Sequence, residues 1–476
     1  MFMKLSRLTY LIEAIAFIAI TIVSIGIFGM ADAATVMAGF TVAYLVPRTI
    51  YARLSHRTAA GILALAIAWT VMSVLGINYL AICTVKAGRP LSNPLLWNDA
   101  QRYFDYAVAI YHNQYDFTYV QPFPGLPLMT ALLWKIFGVN IVYPLAMNMM
   151  LTLGTIVLTG VVTVSLLEHR TSKSARWLAS VAMMCNALLF FFLSHGTQLL
   201  KEPLTYFGFV VVAMSLISLH NCPGWRMHWR TLAVFALGIT LVAATRTTYS
   251  IMALAGVALA AISLRRKWRT SLAMIGVGTF IYIAVSEFAH SISFMHYGSY
   301  FDPQQSSLMS YQFIIGPQQE ALSRIVGDYF TRSWWEKIMI LPFSCAVQYV
   351  IPFPWLGPSP MGIGEIIPRI CAPWYAIGAL TIFYMMALSW RRHTNLKLYP
   401  LWVAFCYAVP AFVTAGSVSR YALPFQPLMI PMATYTIALL ADGHYRKIFC
   451  KFAIAYIAVL LLTLAACHYL QSIALL

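Results

Sequence analysis

Residues able to do chemistry are scarce in this 476-residue chain, so where they fall is informative. Between two long apolar runs lies "LLWNDAQRYFDYA", residues 95–107, which holds two of the 14 acidic residues. These are Asp99 and Asp105, with Arg102, Tyr103 and Tyr106 close by. A carboxylate in such a segment can take a proton from an attacking hydroxyl. Later segments supply cations: "SHGTQLLKEPL" carries His195, Lys201 and Glu202, and "AATRTTYS" carries Arg246. "IPFPWLGPSPMGIGEIIPRI" adds Trp355, Glu365 and Arg369, and "SVSRYALPFQP" adds Arg420 and Tyr421. Ammonium and guanidinium groups at interface depth suit a phosphate and would stabilise charge growing on a leaving phosphate.

Each residue also has a plainer role. Asn98 is placed to cap a helix running from Asp99 to about Tyr111, on which Asp99, Arg102, Tyr103 and Tyr106 share a face. Asp105 falls about 120° away, so the two carboxylates do not form a close dyad. Asp99 can then serve the helix dipole and pair with Arg102, and Asp105 can be a structural charge. Lys201 and Glu202 can be a local ion pair at a helix start, and His195 a packed histidine. Arg246 and Arg420 can snorkel to headgroups, and the aromatics around Trp355 can anchor an interface. No GxxxxGK[ST], HExxH or strand-borne GxGxxG is present, and no ligand set demands a divalent metal or other cofactor.

The elements that must position these residues follow from composition. The chain is 61% hydrophobic and 9% charged, far from the roughly 25% charged residues of soluble domains. Apolar runs near the ~20 residues needed to cross a bilayer recur along it, giving an all-α polytopic membrane protein. The net charge of +17 does not imply nucleic acid, because its distribution is topological. Basic breaks at 48–59, 168–176, 220–230, 265–269, 391–397 and 442–451, with the N-terminus, hold about two thirds of the Lys and Arg but only Glu168 and Asp442 among the acids. They are expected in the cytoplasm. The eight cysteines show no CxxC pair and read as small apolar residues.

About thirteen spans result: 10–30, 34–47, 60–82, 141–167, 177–194, 203–219, 230–245, 249–264, 271–289, 371–390, 398–415, 421–440 and 449–470. The first is expected as a retained span and not a cleaved signal. The shorter apolar pieces 123–138 and 338–352 are expected to be partly inserted or re-entrant. The chain reads as one domain, 1–476, with its N-terminus inside, its C-terminus outside, and two long extracytoplasmic loops, 83–140 and 290–370, holding short juxtamembrane helices. This topology uses the cytoplasmic breaks alone, yet sends Asp99, Lys201, Arg246, Arg369 and Arg420 to one face.

With that arrangement in view, the chain resembles the GT-C superfamily of integral-membrane glycosyltransferases, which includes the protein O-mannosyltransferases and the lipid A aminoarabinose transferase. "NDAQRYFDYA" resembles the acidic motif opening the first external loop. "PFPGLPLMTALLWKIFGVN" is similar to a Pro-Gly-x-Pro-Leu segment ending in Phe-Gly-x-Asn. "LLKEPL" and "ATRTTYSIMAL" look like charged helix mouths of bacterial members, and "SRYALPFQPLMIP" like a late Arg-Tyr-x-x-Pro segment. The resemblance implies Asp99 as catalytic base and Lys201, Arg246 and Arg420 as donor-phosphate ligands. Arg102, Tyr103, Asp105, His195, Glu202, Glu365, Arg369 and Tyr421 are then residues that support these groups or meet the acceptor. Two departures, Ala100 after Asp99 where better-known members carry an Asp-Glu pair and two helices ahead of the acidic loop, point to a bacterial surface-glycan branch.

The implied activity is inverting transfer of a sugar from a polyprenyl-phosphate donor to an acceptor hydroxyl of a glycan, glycolipid or protein, at the periplasmic face of the inner membrane. The bilayer and the donor lipid are the expected partners, and nucleic acid is not. Two alternatives stay open. A polysaccharide polymerase or O-antigen ligase would use a pyrophosphate donor through Arg246, Arg420 and His195, and a flippase or transporter would carry ionisable groups at mid-membrane.

Overall fold

The computed structural model describes residues 2–114, 125–166, 172–221, 228–263, 268–292, 333, 335–336, 338–339, 398–414, 423–441 and 446–474. Regular structure among the described residues is helical. The chain divides into two units, Met1–Ser293 and Phe294–Leu476. In the first unit the helices are α1 (Phe2–Arg53), α2 (Ala59–Cys83), α3 (Asn98–Tyr111), α4 (Gly125–Phe137), α5 (Val142–Leu166), α6 (Ser172–Ala187), α7 (Phe190–His195), α8 (Glu202–Asn221), α9 (Trp229–Thr245), α10 (Thr247–Ser263) and α11 (Trp268–Ile292). The second contains α12 (Leu398–Thr414), a short 3-10 turn Leu423–Phe425, α13 (Gln426–Ala441) and α14 (Arg446–Ala474). There the Tyr399 hydroxyl donates to the Leu428 carbonyl at 2.9 Å, joining α12 to α13.

Five stretches among the described residues are long and apolar enough to cross a membrane: Leu8–Arg53, Ala59–Cys83, Val142–Leu166, Glu202–Leu219 and Trp268–Glu287. The first corresponds to the expected spans 10–30 and 34–47. Gly29, at φ 75° and ψ 174°, interrupts it in backbone geometry that glycine adopts without a Cβ penalty. The two limbs fold against each other there. Arg48 Nε and Nη2 donate to the Glu13 carboxylate at 2.7 and 3.0 Å, and the Tyr44 hydroxyl donates to it as well. Paired in this way, a carboxylate and a guanidinium are tolerable among apolar side chains.

In the first unit α5 lies against α1, α6 and α8, α8 packs along α9, and α9 meets α10 and α11. Gly208 and Gly238 bring α8 and α9 close: a Cβ on either would stand 3.0 Å from the other's carbonyl oxygen. Small residues at a contact allow helix backbones to approach in this way. One sequence expectation is corrected. The predicted span 177–194 is not one helix, because α6 ends at Ala187 and α7 begins at Phe190. The chain turns at Leu188–Leu189, whose backbone N–H groups donate to the carbonyls of Met184, Cys185 and Asn186. The predicted short insertion 123–138 holds a helix of 13 residues, about 20 Å long by its rise and so short of a ~30 Å hydrocarbon core. The predicted span 371–390 and most of 338–352 lie outside the described residues. Of the described cysteines, Cys83 and Cys406 are buried while Cys450 is exposed, and none is in a disulfide.

Loops of the first unit connect and brace the helix ends. At one end Thr58 caps α2, accepting from Gly61 N–H at 3.0 Å, and its hydroxyl meets Ser180 Oγ of α6 at 2.5 Å. At the other, Leu95 N–H donates to Cys83 O at 2.8 Å and Ile141 N–H to Leu91 O at 3.0 Å, stitching the chain around α3 and α4 to the ends of α2 and α5. Beside Thr58, His56 is buried, and burial together with the Arg176 charge lowers its pKa. The folded state therefore binds this proton less readily than the unfolded chain, so stability is full above the ordinary histidine pKa of about 6.5 and is lost as pH falls below it. Thermal unfolding in detergent should show the melting temperature dropping from about pH 7 to about pH 5, and His56→Gln should flatten that slope.

Candidate functional site

The acidic segment forms α3, and its pattern of burial explains its pose. Ala100, Tyr103, Phe104, Tyr106, Ala107 and Ile110 are buried, whereas Arg102 and Asp105 are exposed. The predicted shared face is thereby corrected: Arg102 turns to solvent while Tyr103 and Tyr106 turn inward. Phe104 packs edge-on against Trp134 of α4, with ring centroids 5.1 Å apart, and Tyr106 and Ile110 close over Ala131. Burial pushes the Tyr106 phenol well above its ordinary range, so it stays neutral.

Asn98 is not the predicted cap. It is the first helical residue, and Trp97 holds the extended capping position without a side-chain bond. The start is steadied by Gln101 instead. Leu96 N–H donates to its Oε1 at 3.0 Å, and its Nε2 donates to Asp105 Oδ1 at 2.7 Å. Asp105 thus supports the entry to α3, as the plainer reading has it. Asp99, half-buried in the first turn, stands one turn before Tyr103 on the same helix.

Tyr103 is where α3 meets the cations. Lys201 Nζ lies 5.9 Å from the centre of its ring, and Lys201 is only 5% exposed. Lys201 immediately precedes α8, and its carbonyl accepts from Thr205 N–H at 3.2 Å. Glu202 opens α8, 3% exposed, where a carboxylate complements the helix dipole. Its ion pair reaches across to α9: Arg246 Nη2 stands 3.7 Å from Glu202 Oε1. Thr205 Oγ1 donates to Thr245 Oγ1 at 3.0 Å, fixing the same junction.

Arg246 is presented by the break between α9 and α10. Its backbone is extended, at φ −153° and ψ 98°, its N–H donates to Val242 O at 2.8 Å, and its carbonyl accepts from Tyr249 N–H at 2.9 Å. The guanidinium lies 5.1 Å over the Tyr249 ring. Three sequence-selected charges thus converge on one helix end beside the helix carrying Asp99, with two cations to one carboxylate. His195 ends α7, in the segment leading to Lys201. Glu365, Arg369, Arg420 and Tyr421 lie outside the described residues. Among the described residues no three of His, Cys, Asp and Glu come together as a metal-binding set.

The Pro-Gly-Leu-Pro-Leu to Phe-Gly-x-Asn stretch acts through backbone geometry. Gly125 lies against the end of α9, and a Cβ there would meet Ala244 O at 2.6 Å and Ala244 Cβ at 2.8 Å. Gly138 ends α4 at φ 84°, its N–H donating to Trp134 O at 2.8 Å. Asn140 Oδ1 then accepts from Val142 N–H at 2.9 Å to start α5, while its carbonyl accepts from Trp134 Nε1 at 2.8 Å. Sequence reasoning missed a second support, Asn148, Thr152 and Tyr206 on α5 and α8. Thr152 Oγ1 and Tyr206 Oη are 2.5 Å apart, and Asn148 Nδ2 donates to the carbonyls of Gln198 and Leu200. The available signal was a lone amide inside an apolar span.

No known protein family and no curated protein matches the chain. Among solved structures it is similar to the apo form of the Archaeoglobus fulgidus oligosaccharyltransferase, with 13% identity, a TM-score of 0.41, and coverage of 86% of this chain and 55% of that one. It is also similar to archaeal oligosaccharyltransferase AglB of that organism in complex with an inhibitory peptide and a dolichol-phosphate, with 14% identity, a TM-score of 0.38, and coverage of 85% and 55%. The chain spans about half the length of these proteins. Likeness of this degree assigns neither fold nor activity, and the functional reading rests on the chain's own residues.

The two glycines separate two physical demands. Gly125→Ala forces backbone apart next to Arg246 and should cost roughly 1–3 kcal/mol, as overpacking does. Gly138→Ala meets open space and should cost about 1 kcal/mol or slightly more, from the left-handed backbone alone. Thermal unfolding of both variants in one detergent checks the order.

Proposed function

We propose that this chain is an integral-membrane glycosyltransferase that moves a sugar from a polyprenyl-phosphate donor to an acceptor hydroxyl of a glycan, glycolipid or protein. The observation that carries the reading is Lys201 set against the Tyr103 ring, one turn from Asp99, at the start of the helix where Glu202 pairs with Arg246. An ammonium and a guanidinium held near one helix end suit a phosphate, and a carboxylate one turn along α3 from Tyr103 can serve as a base. In the proposed reaction Asp99 removes the proton from the acceptor hydroxyl. The oxygen attacks the anomeric carbon from the face opposite the phosphate, and the bond from that carbon to the phosphate oxygen breaks with inversion. The lipid phosphate leaves with the electron pair, its charge met by Lys201 and Arg246.

The apolar helices support an integral membrane protein whose donor lipid reaches the site from the bilayer. The charge pattern supports a cytoplasmic N-terminus and a site on the extracytoplasmic side, and the resemblance to bacterial members supports a bacterial inner membrane. Glu202 acts in this scheme by holding the Arg246 guanidinium toward the phosphate.

Two variants test the assignment in purified protein with defined lipid donors. Asp99→Asn should keep the melting temperature and lower transfer about 10²- to 10⁴-fold, the range of general-base catalysis. A folded Asn variant with undiminished turnover removes Asp99 as the base. Lys201→Gln should weaken use of a polyprenyl-monophosphate sugar. Turnover of pyrophosphate donors alone would replace this reading with that of a polymerase or ligase.

A further inference from the structure

We propose that Asn148 positions Lys201, an inference that rests on the reading of Lys201 as a phosphate ligand. Asn148 is fully buried on α5, six residues after its start. Its Nδ2 donates to Gln198 O at 2.8 Å and to Leu200 O at 2.9 Å. Carbonyls only accept, so the amide orientation is set by chemistry: an oxygen in that place would face two oxygens. Its own Oδ1 has no hydrogen-bond partner among the described residues. The side chain is therefore placed by what it donates.

The stretch 196–201 joins α7 to α8 with no regular structure, so its buried carbonyls must find partners elsewhere. Asn148 supplies two of them, the second at the residue just before Lys201. One turn along α5, Thr152 continues the support. A Cβ on Gly196 would meet Thr152 Oγ1 at 2.5 Å, and the same hydroxyl bonds Tyr206 of α8. On its far side Lys201 is held through its carbonyl, which accepts from the Thr205 N–H at 3.2 Å. The backbone of the cation is thus fixed from α5 before it and from α8 after it, and Nζ comes to rest over Tyr103. An apolar residue at 148 would suit the burial but remove the side-chain donor from the Leu200 carbonyl, leave the Gln198 carbonyl only the Leu200 N–H, and loosen the approach to Lys201. Misplacing a charged ligand by about 1 Å is enough to lose much of its effect.

The test measures binding of a polyprenyl monophosphate to the full chain in phosphatidylcholine nanodiscs, with melting temperature as the folding control. Lys201→Gln and Asn148→Leu should each weaken binding about tenfold, and the double variant should be little weaker than either, because both act through one ammonium. Thr159→Val removes only a hydroxyl bond to Thr155 O on the same helix and should leave binding unchanged. Full binding by a folded Asn148→Leu protein overturns the inference, as does an additive double variant. If Asn148→Leu does not fold, Asn148→Gln, with its donors on a longer arm, carries the same comparison: severalfold weakening coupled to Lys201→Gln supports the inference and additivity overturns it. Wild-type binding by Lys201→Gln refutes the phosphate reading itself, and this inference with it.

Discussion

Charge withdrawn from water must be matched where it lies, and that constraint organises the first unit. Glu202 is buried and Arg246 partly so, and a lone carboxylate withdrawn from water in this way would be costly. Pairing at 3.7 Å makes both tolerable, but only if α8 starts and α9 ends at the same level. The close glycine contact of α8 with α9 and the hydroxyl link from Thr205 to Thr245 secure that level. Lys201 adds a cation beside a helix start, where the dipole disfavours it. The carboxylate that follows and the Tyr103 ring beneath it offset that penalty, so α3 is bound into the same electrostatic arrangement.

The surrounding elements act as supports of different kinds. The Pro-Gly segment lets α4 press on the backbone just ahead of Arg246, and Gly138 with Asn140 turns the chain into α5. α5 then steadies the irregular stretch ahead of Lys201 through Asn148. Neither support needs to touch a reacting group. Both set where the cations stand relative to α3, which is the geometry a charge-stabilising site depends on.

The α1 hairpin follows the same rule far along the chain from these residues. Glu13, Tyr44 and Arg48 meet only because Gly29 lets the limbs fold together. Elsewhere on α1 many of the exposed side chains are apolar, including Ile18, Ile22 and Met30, whereas Asp32 near the Gly29 bend and Arg53 at its end are exposed charges. The apolar part of that surface suits lipid, and Glu13 and Arg48 within the limbs are paired with each other.

What the sequence by itself determined was the all-helical, strongly apolar class and most helix bounds among the described residues. Those follow from hydropathy and the placement of Lys and Arg, which are local properties. It also singled out Asp99, Lys201, Glu202 and Arg246, because ionisable residues are rare in so apolar a chain. Partners were not legible. Tertiary packing decided that Glu202 pairs with Arg246 of another helix, that Arg102 turns away from Tyr103, and that the predicted span at 177–194 breaks in two. It also decided that an amide on α5 holds the approach to Lys201. Such pairings depend on which helices lie side by side, and no periodicity within a single helix carries that information.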